Sequence, residues 1–320
     1  MTVLNNEPGV TNDSAATTGA RHREYDAGGR QAIANRLLKG SSARSYDPVV
    51  ELDWDAPLAD GKYFLPPKVL SLYGTDLWRS MPIAQRIELS RQEMANVLSV
   101  GIWFENLLNR ALLIRLMSAD PAATTSHYEL TEMGDECRHM TMFGKVIERT
   151  GARPYMMRPW ERAVMHLLPV AMRGTLLWVV TLVGEELFDA LQREMRDDPD
   201  LQPIVARLMQ IHVTEEARHI GFARDGVMRR TAIRSRWETL VAANLHGLGG
   251  PIFRRLFTNP QMYKRAGLAD PRAVARIARQ NPSFREVRVR AFAPLSAFLR
   301  QAGLMGPVGG YLWRRAGFLP

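Results

Sequence analysis

The chain has 320 residues, 46% of them hydrophobic and 23% charged, with a formal net charge of +9. That length and apolar content can bury one large core or two modest ones, and they exclude wholesale disorder. A single cysteine, Cys137, excludes an internal disulfide and a thiolate-rich metal cage, and fits a reducing cytoplasm. The first forty residues hold no sustained apolar stretch, so no secretory signal is predicted. The longest apolar run, Gly174–Gly184, is too short to cross a bilayer. A cytoplasmic location is therefore expected. The charge is uneven: from Gly221 onward 18 Lys and Arg face 4 Asp and Glu, a balance of +14, which leaves −5 for everything before Gly221. A cationic last third fits an acidic partner, an anionic membrane face or nucleic acid, and equally an arginine-rich composition with no such role. No recognisable nucleic-acid module is present, so no nucleic-acid partner is expected.

Residues 1–45 are polar, rich in Gly, Ala and Thr, and without hydrophobic period, which predicts a mobile tail. Residues 46–85 set Trp54, Tyr63, Leu65, Leu72, Tyr73 and Trp78 among prolines and predict an irregular arm on the core. A helical domain is expected over 86–305, with 306–320 as a C-terminal tail. Its first helix starts near residue 83 and runs through Leu116 to the stop at Asp120-Pro121. The second covers about Ser126–Thr150 and ends at Gly151. The third covers about Arg162–Arg196, kinked at Pro169. The fourth runs from Pro203 to about Arg230, and further helices fill 233–247, 271–280 and 283–303. Strand signals are nearly absent. The predicted class is all-α.

Two E-x-x-H motifs stand out, Glu136–His139 and Glu216–His219. On a helix, residues three apart share a face, so each pair can offer a carboxylate and an imidazole to one metal. A single such motif is weak, because a solvated Glu beside a surface His has the same spelling. Spacing makes the pair specific. The interval from Glu105 to Glu136 is the same as that from Glu185 to Glu216, and one constant offset carries Glu105, Glu136 and His139 onto Glu185, Glu216 and His219. A duplicated helical hairpin leaves this pattern, and it matches di-metal bundles in which two helices give one Glu each and two give Glu-x-x-His. Four interior carboxylates carry −4, which two divalent cations cancel while neutral imidazoles add nothing. Oxygen-rich ligation with imidazole suits iron or manganese better than copper or structural zinc.

His212 stands one helical turn before Glu216 and two before His219, on one stripe. It reads either as a seventh ligand or as a core histidine bonded to a carbonyl. Glu186 and Glu215 fall one position off the ligand face and read as outer or solvated groups. Glu129 and Glu132 share a stripe with Glu136 and read as supporting acids or a salt-bridged face. Asp189, one turn after Glu185, is positioned to orient a ligand histidine. Arg138 and Arg218, related by the same offset, are placed to neutralise outer carboxylates. Cys137 points away from the metals and reads as a small core residue.

Over roughly residues 85–230 the chain resembles the p-aminobenzoate N-oxygenase (AurF-like) family of ferritin-like non-haem di-iron oxygenases. The likeness is carried by Trp103-Phe104-Glu105, Asp135-Glu136-Cys137-Arg138-His139, Val183-Gly184-Glu185 and the segment from Ile211 to His219. The last of these contains H-x-x-x-E-x-x-H, which plain ferritins lack. The resemblance implies a ferritin-like four-helix bundle with an added N-terminal arm and C-terminal helices. It implies Glu105, Glu136, His139, Glu185, His212, Glu216 and His219 as metal ligands and, through the metals, as the catalytic set. It also implies two iron ions cycling between Fe(II) and Fe(III), with manganese the alternative, and O₂ and an external electron donor of ferredoxin or flavin type. The small-molecule substrate would be an aryl amine, oxidised through hydroxylamine and nitroso stages to the nitro product. A homodimer fits the same resemblance. Hydroxylation or desaturation of C–H bonds uses the same ligands and stays open, as do iron storage and a non-catalytic iron-binding or membrane-associated scaffold.

Overall fold

A computed structural model describes the backbone of residues 14–320 and the side chains from Gly29 onward. The helices in chain order are α1 (Ser14–Ala43), α2 (Pro48–Glu51), α3 (Asp76–Ser80), α4 (Ile83–Leu116), α5 (Thr124–Arg149), α6 (Pro159–Ala171) and α7 (Gly174–Met195). They continue with α8 (Pro203–Ile233), α9 (Arg236–Leu245), α10 (Gly249–Leu256), α11 (Pro260–Arg265), α12 (Pro271–Gln280), α13 (Pro282–Gln301) and α14 (Pro307–Ala316). Among the described residues the extended pairing is one isolated parallel bridge, Tyr63 to Leu201. The class is all-α, with the ferritin-like arrangement of two long helical hairpins, α4–α5 and α7–α8, packed face to face.

Local sequence explains where these helices start and stop. Pro203 occupies the first turn of α8, where its missing N–H costs nothing. Gly151 ends α5 by taking φ 67°, a left-handed backbone that other residues resist. Asp270 and Asn281 cap α12 and α13 by accepting from Ala273 N and Ser283 N, each worth about 1 kcal/mol. By length and composition α4 is apolar enough to cross a membrane, yet more than half of its most apolar stretch is covered inside this fold. Its buried positions include Glu93, Asn96 and Glu105, so its polar groups face the bundle interior.

Four stretches differ from the sequence expectation. The long third helix is two helices, not one kinked at Pro169. Met172 and Arg173 leave helical geometry, and α7 restarts at Gly174 with φ 57°. Glu238, on α9, accepts from Thr175 N at 2.7 Å and Thr175 Oγ1 at 2.6 Å, which satisfies the new helix start from outside. Residues 249–265, left without helix by the sequence, contain α10 and α11.

The first part of the predicted tail, residues 1–13, lies outside the described residues, but 14–43 form α1. Its described end is held by packing on α5 and α8: Ala34 is buried, and the Arg30 guanidinium lies 3.9 Å from the Phe222 ring centroid and pairs with Asp225 at 2.7 Å. The C-terminal tail is likewise a helix. Trp313 of α14 is fully buried, stacks on Phe292 at 4.1 Å and donates its indole N–H to His246 Nδ1 at 2.9 Å.

Candidate metal centre

Each of the four central helices delivers part of the site. Glu105 comes from α4, Glu136 and His139 from α5, Glu185 from α7, and His212, Glu216 and His219 from α8. None is more than 3% exposed. Ligand atoms of Glu105, His139 and His212 lie within 4.8 Å of one another, as do those of Glu136, His139 and Glu216. His219 Nδ1 is 3.0 Å from Glu136 Oε1 and 3.2 Å from Glu216 Oε1. Glu185 faces Glu216 across the site. The seven predicted residues therefore converge inside the bundle.

Burial and like charge drive the electrostatics. Burial, then the Glu136 charge, holds the Glu105 carboxyl well above the usual range; burial, then Glu216, does the same for Glu185. Burial alone would raise Glu216 too, but His219 and His212 beside it take it well below. Burial opposes charge on all three imidazoles. At His139 the carboxylates of Glu136, Glu215 and Glu216 overcome it, and at His219 those of Glu216 and Glu136 do; His212 is pushed down to about 4.

Five polar atoms in the cluster have no hydrogen-bond partner: Glu105 Oε2, Glu136 Oε1, Glu185 Oε1, Glu216 Oε2 and His212 Nδ1. Unpartnered ligand atoms of this kind, carboxylate and imidazole together in a dry interior, fit a pair of divalent cations.

A second layer of carboxylates sets the histidines. His139 Nε2 is 2.8 Å from Glu215 Oε2, and His219 Nε2 is 3.3 Å from Asp135 Oδ2. Each outer acid belongs to one hairpin and binds the histidine of the other. With Nε2–H donated outward, Nδ1 faces the inner carboxylates and is free to ligate. Arg138 pairs with Asp135, and Arg218 reaches Asp135 at 3.4 Å and Glu215 at 3.6 Å, so both arginines neutralise outer acids. The arm joins in: Tyr46 N–H donates to Glu215 Oε1 at 3.2 Å. Sequence reasoning left Asp135 without a role, although the offset that carries it onto Glu215 is the one that carries Glu136 onto Glu216.

Among the seven inner residues, His212 is the one whose duplicate is not matched in kind. Under that same offset the counterpart of His212 is Glu132, which is buried, its Oε2 without partner and its carboxyl pushed by burial up to about 8. Glu129 is buried and paired with Arg115. Asp189 does not reach a histidine; it binds Arg193 at 2.6 Å. Glu186 pairs with Arg224. Cys137 is exposed on the outer face of α5 rather than in the core.

A small cavity of about 10 Å³, room for roughly one water, is lined by Glu105, Glu185 and His212 together with Phe104, Phe143 and Phe188. The site depends on glycines for room: a Cβ on Gly184 would stand 1.6 Å from the Phe104 ring, and one on Gly101 2.9 Å from that of Phe143. A wider basin lined by Arg30, Arg115, Arg173, Trp178 and Arg230 opens elsewhere and touches none of the seven residues.

The fold and this donor set define a ferritin-like helical bundle with a buried carboxylate–histidine cluster compatible with a metal site. Its kind is given by comparison: residues 27–303 match the p-aminobenzoate N-oxygenase AurF family, and the chain belongs to it. Membership implies an oxygenase with a di-iron centre. The chain is also similar to an uncharacterized protein, MT0908, of Mycobacterium tuberculosis (strain CDC 1551 / Oshkosh), at 29% identity over 297 residues, 87% of this chain and 84% of that protein. The uncharacterized protein Mb0909 of Mycobacterium bovis (strain ATCC BAA-935 / AF2122/97) is 28% identical over the same shares of each chain.

Proposed function

We propose that the protein is a di-iron oxygenase that inserts oxygen at the nitrogen of an aryl amine. The observation that carries the reading is the buried cluster of Glu105, Glu136, His139, His212 and Glu216, in a chain of this family. Two iron ions, when bound, would supply the activation of O₂. Glu105, Glu136, Glu185 and Glu216 with His139, His212 and His219 would hold them, and Asp135 and Glu215 would keep His219 and His139 turned the right way. Phe104, Phe143 and Phe188, packed beside the carboxylates, would keep bulk water from the reacting centre. In the first stage one oxygen atom of O₂ enters an N–H bond. Two electrons and two protons from outside reduce the other atom to water.

Those electrons fit a ferredoxin- or flavin-type donor in a reducing cytoplasm. Arg254, Arg255, Arg279 and Arg315 ring a surface hollow in the cationic last third, a docking face for an acidic carrier. Reduction by an acidic ferredoxin is expected to slow as salt is raised; indifference to salt would remove this face from the account.

The test of the reaction is turnover of aryl amines by the iron-loaded, reduced protein under ¹⁸O₂, read by mass spectrometry. Label on nitrogen supports the reading. Label only on carbon assigns the protein to C–H hydroxylation instead.

A further inference from the structure

One surface of the protein carries a concentration of large apolar side chains. α6 turns Met165, Leu168 and Pro169 inward, and Arg110 of α4 holds its inner side by donating to Met165 O and His166 O at 3.1 Å each. Its outer side shows Trp160, Val164 and Leu167, four and three residues apart on one helical stripe, and Leu167 is 72% exposed. α9, the short turn after it and α10 show a second exposed row, Trp237, Leu240, Leu248 and Ile252, with Trp237 71% exposed.

The two rows are neighbours and run antiparallel. Arg255 of α10 pairs with Glu161 at 2.8 Å and stands 5.2 Å from the Trp160 ring centroid, which ties the start of α6 to the end of α10. Glu238 accepts from Thr175, just past the end of α6, and ties that end to the start of α9. Single exposed apolar residues are ordinary, but a patch of this extent marks an interaction surface. The charge around it has one sign. Arg158, Arg162, Arg173 and Arg236 are exposed, whereas the acids of these two segments, Glu161 and Glu238, are each paired with an arginine. Arg162 and His166, one turn apart, line an edge of the α6 row. The arginine-lined basin adjoins the same end: Arg173, on its wall, donates from Nε to Val170 O at 3.0 Å. A second copy of the chain would bring this cationic rim against itself. An anionic bilayer pairs the cations with phosphates and takes up the apolar rows beneath them.

We propose that this face seats the protein on an anionic lipid surface. Trp160, Val164, Leu167, Trp237 and Ile252 enter the boundary between headgroups and acyl chains, and Arg158, Arg162, Arg173 and Arg236 hold lipid phosphates. α6 lies in the plane of the membrane, because its 13 residues are too few to cross one. The inference is independent of the reaction at the metal centre.

The test is flotation of the full chain with phosphatidylcholine vesicles, with and without phosphatidylglycerol, at physiological salt. The protein is expected to float with the phosphatidylglycerol vesicles, and less so as salt is raised. Leu167→Ser and Trp237→Ser should each weaken that binding about tenfold, and Arg158→Gln combined with Arg162→Gln by at least as much. Leu130→Ser, at an exposed leucine of α5 outside this face, should change nothing. All these positions are exposed, and circular dichroism checks that each variant is folded. Failure to float with the anionic vesicles, or flotation undiminished by the Leu167 and Trp237 changes, overturns the proposal. So does a dimer in light scattering that those two changes split, which would assign the face to a second copy.

Discussion

Asp135→Asn combined with Glu215→Gln is expected to weaken metal binding by about 10- to 100-fold per substitution. The reason is geometric. Each outer acid accepts from the Nε2–H of the histidine on the opposite hairpin, at 2.8 Å for Glu215 and 3.3 Å for Asp135. Without that acceptor charge the imidazole is free to turn or to place its proton on the ligating nitrogen. The amide variants keep the side-chain shape, so packing changes little. Glu186→Gln is the control, because Glu186 is a buried acid on α7 that pairs with Arg224 and touches no histidine. Competition against a chelating dye reads the affinities. Equal affinity in the double variant and wild type would mean that the cross-hairpin bonds do not orient the rings.

Stripping the metals is expected to lower the unfolding temperature by on the order of 15 °C. Four carboxylates face one another in a dry interior. Burial and the neighbouring carboxylates raise the Glu105 and Glu185 carboxyls well above the ordinary range, so leaving the cluster without cations is costly. Cations bound about 1,000-fold above their dissociation constants stabilise the folded chain by about 4 kcal/mol per site, and two sites double that. Calorimetry with and without a chelator makes the measurement. Restoration by Fe(II) or Mn(II) should fail in the Glu136→Ala, Glu216→Ala double variant. A transition that ignores the chelator in wild type would show that the bundle holds together without metal.

What the sequence made legible followed from repetition and local chemistry. The inner donors were readable because the interval from Glu105 to Glu136 repeats from Glu185 to Glu216, and because each Glu-x-x-His motif puts its members on one helix face. The same offset ties Asp135 to Glu215, yet Asp135 is an ordinary helical acid until the fold sets it against His219. Other features depend on groups far apart in the chain. The break before α7 is stabilised by Glu238, which reaches back to Thr175 from α9. α1 has no apolar stripe to announce it; its described end is held by Arg30 against Phe222 and Asp225. α14 is pinned by Trp313 on Phe292 and His246. The exposure of Cys137 follows from its place on the outer face of α5, opposite the buried acids and His139 that share its motif.

The most direct test of the central claim is iron per chain in protein grown with iron, measured beside the Glu136→Ala, Glu216→Ala double variant. The account predicts about two iron ions per wild-type chain and near-complete loss in the variant, with both chains folded by circular dichroism. Folded wild-type protein that carries no iron, and takes up none when given Fe(II) and O₂, would contradict it.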